Sequence, residues 1–513
     1  MTIKQSSSFK SSIRVGGWTF VSRIAGLVRD IVTTSLLGAS TFHDIFVVVL
    51  KIPNVFRRFF AEGAFSQAFI PIYSEYLAKD QEVDGQEFLN SLAGILISTL
   101  FIFTVIALAV APLFILIFAP GFYFDDTKQA LAVNLLQIMF PYLGLISLVA
   151  FASGIQNSHD RFSIPAATPV IFNLTIIACA IFLAPQLEVP VIALAWGVLL
   201  AGFLQLLLQI APLMALQKLP IPKINFHHPG VKKFLILIVP ALLAGGIAQI
   251  NLLVDTIFAS LLITGSPTWL YVSDRLIQFP LGIFAIAIGT VLLPTLSKEF
   301  GAGNMSNFTE HLEKGFKLIF FLAIPSVVGL LFYAEPLLGT IFHRGAFLWV
   351  DVESSALSLI AFATGLPFFM AMKVLVPAFF ARQDTTTPML AALLSLLVNI
   401  VLNYTLAFYF NFGHVGLAAA SSIASVVSVA ALCILLKRLN LLSLNFLLDS
   451  FAIKIFASNL LLVSYLVWTA QFFDFQFMTE AYRALALSSL VIGAMVVYFA
   501  SSYAFGIRLK EFK

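Results

Sequence analysis

Long apolar runs separated by short polar turns dominate this chain, and their lengths set its architecture. A helix needs about 20 apolar residues to cross a bilayer. Runs of that kind fall at residues 13–37, 43–60, 90–118, 128–155, 165–184, 189–216, 233–263, 268–297, 313–342, 353–381, 387–411, 414–437, 449–472 and 482–506. Backbone amides in hydrocarbon must bond within a helix or a closed barrel, and these runs far exceed the roughly 10 residues of a barrel strand. The pattern predicts an all-α polytopic membrane protein with 14 transmembrane helices. Residues 61–76 read as a shorter helix after the second span, set at the interface.

Composition agrees: 60% of the 513 residues are hydrophobic, 11% are charged and mean hydropathy is +1.00, values that exclude a water-soluble domain. The start, MTIKQSSSFKSSIRVGG, is basic, but Arg23, Arg29 and Asp30 follow where a signal peptide would carry a clean apolar core and cleavage site, so no cleaved signal peptide is expected. Cys179 and Cys433 lie inside apolar runs and read as small buried hydrophobes, with no disulfide framework.

Charge orients the spans. An even count puts both termini on one side, and the loops of that side hold 18 Lys and Arg against three, Lys128, Arg344 and Arg483, on the other. Positive charge is retained on the cytoplasmic face, so both termini are expected in the cytoplasm. The longest connection on that face, Gln217 to Phe234, reads as a hinge between halves. A faint repeat supports the division. FSQAFIPIYSEYL at 65–77 aligns with IGTVLLPTLSKEF at 288–300, an offset of 223, and DRFSIPAATP at 160–169 resembles ARQDTTTP at 381–388. Two pseudo-symmetric six-helix lobes, 1–220 and 221–440, followed by two C-terminal helices in 441–513, are expected, a plan used by carriers that rock two lobes about a central site.

Eight cations fall within or beside the spans: Arg23, Arg29, Lys51, Arg57, Arg58, Arg275, Lys373 and Lys454. Each costs about 2.5–3.5 kcal/mol at the bilayer centre on insertion scales, so such groups face a bundle interior or a wet cavity; Lys454 is near enough to an end to snorkel. In the first span Arg23 and Asp30 share a face, with Gly26 between them leaving room. In the second, Asp44, Lys51, Asn54 and Arg58 form one polar stripe flanked by Arg57, and Pro53 is expected to kink the helix. In the eighth, Asp274, Arg275 and Gln278 are neighbours and Pro280 is expected to break the helix. Any one Asp-Arg pair could be an internal ion pair. Seven central cations against Asp30, Asp44 and Asp274 still leave a surplus of roughly four charges, unfavourable without water or an anion. Arginine's planar fork suits phosphate, so the occupant expected is a phosphate or pyrophosphate.

Other chemistry is weakly signalled. No Walker A, HExxH or GxSxG sequence is present, which removes ATP hydrolysis and common hydrolytic chemistry. The His227-His228 pair and HDRF at 159–162 read as solvated turns. Asp255, with Asp384 and Asn399, is a candidate oxygen-ligand cation site, against helix capping by Asp384 and an interhelical bond from Asn399.

SRIAGLVRDIV at 22–32, KIPNVFRRFFAEGAFSQAFIPIYSEY at 51–76, SDRLIQFPLG at 273–282 and ARQDTTTP resemble the MurJ (MviN) family, bacterial flippases of the peptidoglycan precursor lipid II, within the multidrug/oligosaccharidyl-lipid/polysaccharide exporter superfamily. The resemblance implies that Arg23, Arg29, Arg57 and Arg275 are cavity arginines meeting the pyrophosphate, with Asp30, Asp44 and Asn54 at further polar positions. It also implies that spans thirteen and fourteen form a groove for the undecaprenyl tail. Asp255 and Asp384 would belong to a site for a coupling cation such as sodium. Gln278 departs from an acidic residue expected in some relatives. The implied setting is the bacterial inner membrane, with lipid II, membrane lipids and cell-wall synthesis proteins as partners. Alternatives are a flippase for another lipid-linked oligosaccharide, a cation-coupled drug exporter of the superfamily, and a non-transporting scaffold.

Overall fold

The structure is a computed structural model that describes residues 2–60, 64–443, 449–508 and 512; the side chains of 2–13, 58–60, 64, 239–249, 251 and 252 lie outside that description. Among the described residues every regular element is helical. The chain divides into two compact units, Met1–Thr264 and Gly265–Lys513. The first contains α1 (Thr2–Leu37), α2 (Thr41–Phe60), α3 (Ala64–Ala78), α4 (Glu82–Ala109), α5 (Ala111–Phe118), α6 (Pro120–Tyr123), α7 (Asp126–Met139), α8 (Tyr142–Ser158), α9 (Ser163–Ala178), α10 (Val191–Ala215) and α11 (Pro229–Ser260). The second contains α12 (Ser266–Pro280), α13 (Ile286–Gly301), α14 (Met305–Phe332), α15 (Ala334–Phe342), α16 (Trp349–Ala381), α17 (Thr386–Tyr404), α18 (Gly413–Arg438), α19 (Ser450–Ala470) and α20 (Glu480–Ala504). The helix α11, which opens the second half of the sequence repeat, packs on α2 and α3 and so belongs to the first unit.

Eleven helical segments among the described residues are long and apolar enough to cross a membrane, and each falls on a run read from the sequence. The protein is a multi-pass membrane protein. The other three runs are also helical, as α1, α2 and α11. The charges of α1 and α2, Arg23, Arg29 and Asp30 in one and Asp44, Lys51, Arg57 and Arg58 in the other, dilute their apolar character.

The internal repeat is visible in the backbone. Left-handed residues close the helices at Asp80 and Gly303, Asp160 and Gln383, and Gln217 and Asn440, and the members of each pair stand 223 positions apart. Each ends a corresponding helix: α3 and α13, α8 and α16, α10 and α18. The helices α9 and α17 both finish in π-helical turns, Cys179–Leu183 and Thr405–Tyr409. Each of those turns lies against a glycine of the next helix. A Cβ on Gly197 would stand 3.1 Å from the Cys179 Cβ, and one on Gly416 would stand 2.7 Å from Ala407 N. The widened turn and the missing side chain bring the two backbones together in both halves.

Three expectations change. First, the short helix α3 packs one whole face into the interior of its unit. Phe65, Phe69 and Tyr73, spaced four apart, stack at 5.5 Å and are buried with Phe88, Phe151 and Phe234, because one whole face of the helix is aromatic or aliphatic. Second, Pro280 does not break its helix. The π-helical turn Leu281–Ala285 follows directly and α13 continues; α2 likewise runs through Pro53. Third, the connection after α10 is a strap, not a free hinge. Ile221 N donates to Asn90 Oδ1 at 2.8 Å and Lys223 N donates to Asn90 O at 3.0 Å. Beyond the strap, Lys233 pairs with Glu75 at 2.6 Å.

The two C-terminal helices are clamped along their length. Tyr333 Oη meets Thr469 Oγ1 at 2.6 Å, Tyr498 Oη donates to Phe321 O at 2.6 Å, and Arg483 Nη1 donates to Gly339 O at 3.0 Å. These bonds tie α19 and α20 to α14 and α15.

Candidate functional site

In the first unit the charged residues of α1 divide into two kinds. Arg29 and Asp30 are 8% and 1% exposed. Arg29 donates to Asp30 Oδ1 from Nε at 3.0 Å and from Nη2 at 2.6 Å, and from Nη1 to Asn173 Oδ1 at 3.1 Å. Its guanidinium carbon lies 5.8 Å from the centre of the Phe172 ring. Asn173 Nδ2 in turn donates to Ser22 O at 3.2 Å, and Trp18 Nε1 to Ser163 Oγ at 3.1 Å. These bonds dock α1 on α9. Gly26 faces Asn173, whose amide nitrogen would be 3.6 Å from a Cβ there, so the room at Gly26 is taken by that amide. Arg29 and Asp30 therefore form a buried ion pair. Arg23, six residues earlier, is exposed.

On α2, Asp44 is buried, Lys51, Asn54 and Arg57 are half-buried, and Arg57 Nε donates to Asn54 Oδ1 at 3.3 Å. That bond holds the guanidinium along the helix face. The Arg58 side chain lies outside the described residues. In the second unit, Arg275 Nη2 donates to Tyr271 Oη at 2.9 Å, and its guanidinium carbon lies 5.1 Å from the centre of that ring. Gln278 Nε2 donates to the exposed Asp274 at 3.3 Å, and Lys373 is exposed. The Asn54 amide and the Tyr271 phenol orient the Arg57 and Arg275 side chains.

Asp384 caps α17: its Oδ1 accepts from Thr387 N at 2.9 Å and its Oδ2 from Thr387 Oγ1 at 2.6 Å. These bonds, with the Thr387 hydroxyl contributing most, hold its pKa below the usual carboxylate value. Asp255 is half-buried in α11. Among the described residues no group of three or more His, Cys, Asp and Glu could hold a metal. Asn399 bonds Ser421 Oγ at 3.3 Å and Asn403 at 3.0 Å, an interhelical role. Asp384→Ala is expected to cost about 1 kcal/mol, the worth of an N-cap. A depressed carboxylate stabilises the fold above its unfolded pKa of roughly 4, and that contribution is lost as pH falls through the lower folded value. An acid titration of thermal stability in which wild type and variant converge below that range checks the sign.

The family model described as "Lipid II flippase MurJ" matches residues 33–488. The chain belongs to the MurJ family. A "Probable lipid II flippase MurJ" of Vibrio cholerae is 38% identical over 98% of this chain and 97% of that protein. The "Lipid II flippase MurJ" of Burkholderia cenocepacia is 35% identical over 96% of each. A solved structure titled "Lipid II flippase MurJ, inward closed conformation" is 28% identical, covers 96% of this chain and 98% of its own, and superposes with a TM-score of 0.80. An inward-facing multidrug resistance MATE family transporter of the MOP superfamily shares the fold at a TM-score of 0.65 and 14% identity, over 82% of this chain and 94% of its own. MurJ is a family of membrane transporters and not of enzymes.

Sequence reasoning passed over Asn173, Phe172 and Tyr271. An amide inside the apolar run of α9 was the available signal for the first, since a buried amide in a span needs a partner. Tyr271 stands four residues before Arg275 on one helix, a spacing that brings side chains together, whereas nothing in the spacing singled out Phe172. It also missed the buried amides of the first unit, where Gln156 Nε2 donates to Gln209 Oε1 at 2.5 Å and Gln209 Nε2 to Thr168 Oγ1 at 2.8 Å, joining α8, α9 and α10.

Proposed function

We propose that this chain moves lipid II from the cytoplasmic to the outer leaflet of the bacterial inner membrane by alternating access, its arginines meeting the pyrophosphate. The observation that carries this reading is the match of residues 33–488 to the MurJ family, with one arginine oriented on α2 by Asn54 and another on α12 by Tyr271. The residues proposed for this role are Arg23, Arg57 and Arg58, with Arg29 and Asp30 beside them in α1 and Lys51, Asp44 and Asn54 on the polar face of α2, and separately Arg275 of α12. The family names of the relatives support the substrate. In the complete reading, fourteen spans form two six-helix lobes and a C-terminal pair for the undecaprenyl tail, both termini lie in the cytoplasm, and the empty, cationic carrier is reset by the membrane potential. One charge crossing 100 mV is worth about 2.3 kcal/mol.

The test uses cells depleted of this protein and an externally added toxin that degrades lipid II. Depletion is expected to protect lipid II, wild type to restore cleavage, and Arg57→Ala at equal abundance to fail. Restoration by Arg57→Ala and Arg275→Ala alike would refute the arginine site. In reconstituted vesicles, flipping is expected to accelerate under a potential negative inside; a rate indifferent to potential removes the reset step.

A further inference from the structure

Two of the three loop cations on the side opposite the termini come together at the end of α15 and the start of α20. Arg483, 5% exposed, donates from Nη1 to Gly339 O at 3.0 Å and to His343 Nδ1 at 2.7 Å. Both partners are neutral: arginine has no acceptor, so the His343 Nδ1 must accept and its proton sits on Nε2. Among the described residues no carboxylate pairs with Arg483, and its Nε has no hydrogen-bond partner. Beside it Arg344, with 33% of its side chain exposed, pairs with Glu480 at 3.1 Å and donates to Thr340 O at 3.3 Å. The buried Thr340 hydroxyl also lacks a partner. Two guanidiniums thus share one carboxylate, and the cluster keeps one net positive charge.

Its setting adds to that field. Glu480, Ala481, Tyr482 and Arg483 form the first turn of α20, whose N-cap Thr479 makes no side-chain capping bond, so the amide dipoles of the helix start add to the positive potential. Leu348, Val350, Tyr482 and Leu485 are exposed close by in sequence. The Trp349 ring between the first two stands 5.4 Å from the His343 ring, which places apolar groups beside the cluster, and a phosphate carried on a lipid brings chains that cover such groups whereas a free anion does not.

We propose that the α15–α20 junction binds the phosphate headgroup of a membrane lipid, with Arg344 as the exposed contact, Arg483 as the buried charge behind it, and Glu480 as the internal competitor that the phosphate displaces. On the orientation proposed above this is the outer-leaflet end of α20, but the binding site stands on these side chains and not on lipid II transport.

The test titrates the purified full-length protein in neutral detergent with phosphatidylglycerol, with undecaprenyl phosphate and with inorganic pyrophosphate, reading bound lipid by native mass spectrometry. Arg344→Gln is expected to weaken one lipid-binding event about tenfold, and Glu480→Gln to tighten it several-fold by removing the competitor. Arg57→Ala is expected to leave that event unchanged, which separates it from the transport arginines. Whichever lipid responds identifies the source of the phosphate. Arg344→Gln and Glu480→Gln titrating like wild type with both lipids would overturn the proposal, as would a response confined to inorganic pyrophosphate. Arg483→Gln is a secondary test because its side chain is buried; the two exposed substitutions decide the outcome if it fails to fold.

Discussion

Replacing Arg29 with alanine is expected to destabilise the protein by roughly 3–5 kcal/mol, the cost of leaving one member of a buried ion pair without its partner. The variant would strand the Asp30 carboxylate, 1% exposed, and remove the bond from α1 to Asn173 of α9. Arg29→Lys should recover only part of the loss, since one ammonium cannot make both the bonds to Asp30 and the bond to Asn173. The double change Arg29→Met with Asp30→Leu should be less damaging than Arg29→Ala, because an apolar pair leaves no stranded charge. Arg23→Ala, at an exposed position, should leave stability within about 0.5 kcal/mol of wild type while abolishing toxin-detected flipping. Thermal unfolding in detergent beside the toxin assay measures both. An Arg29→Ala protein as stable as wild type would show that the pair is not structural, and its loss of flipping would then have to be read as a loss of substrate contact.

The second large effect is expected at Gly94, where α4 meets the strap after α10. A Cβ there would lie 2.2 Å from the Lys223 carbonyl oxygen and 2.8 Å from its nitrogen, so the strap backbone must shift. The bonds from Ile221 and Lys223 to Asn90, one helical turn away, would be lost with it. Gly94→Ala is therefore expected to cost about 1–3 kcal/mol by overpacking and to open the strap to trypsin at Lys218 and Lys223. Limited proteolysis checks this directly. Cleavage and unfolding temperature both equal to wild type would mean that the strap is held elsewhere.

How far the sequence could be read depended on the range of the force involved. Apolar run length reports on burial in lipid, which each segment satisfies by itself, so the eleven segments that meet the span criterion coincide with runs read in advance. The aromatic face of α3 was equally present in the sequence as Phe65, Phe69 and Tyr73, but its burial depends on Phe88, Phe151 and Phe234 from other helices. Pro280 carried a correct local signal, a missing donor, yet the chain continues through a π-helical turn into α13. Asp384 fits both a cap and a cation ligand by sequence, and the structure shows its capping bonds to Thr387.

By itself the sequence determined that this chain is a helical membrane protein of the MurJ type, with an excess of arginine that lipid cannot solvate and a repeat whose helix ends recur at a fixed spacing. The tertiary structure decided which arginines are spent on holding helices together. Arg29 and Asp30 are adjacent in the chain, yet only the docking of Asn173 and Phe172 from α9, some 144 residues away, buries them as a hydrogen-bonded pair, and only the folding of α20 onto α15 brings Arg483 to His343. Charge and hydrophobicity are properties of a residue, whereas neutralisation is a property of a neighbourhood, and neighbourhoods between distant helices are written only in the packing.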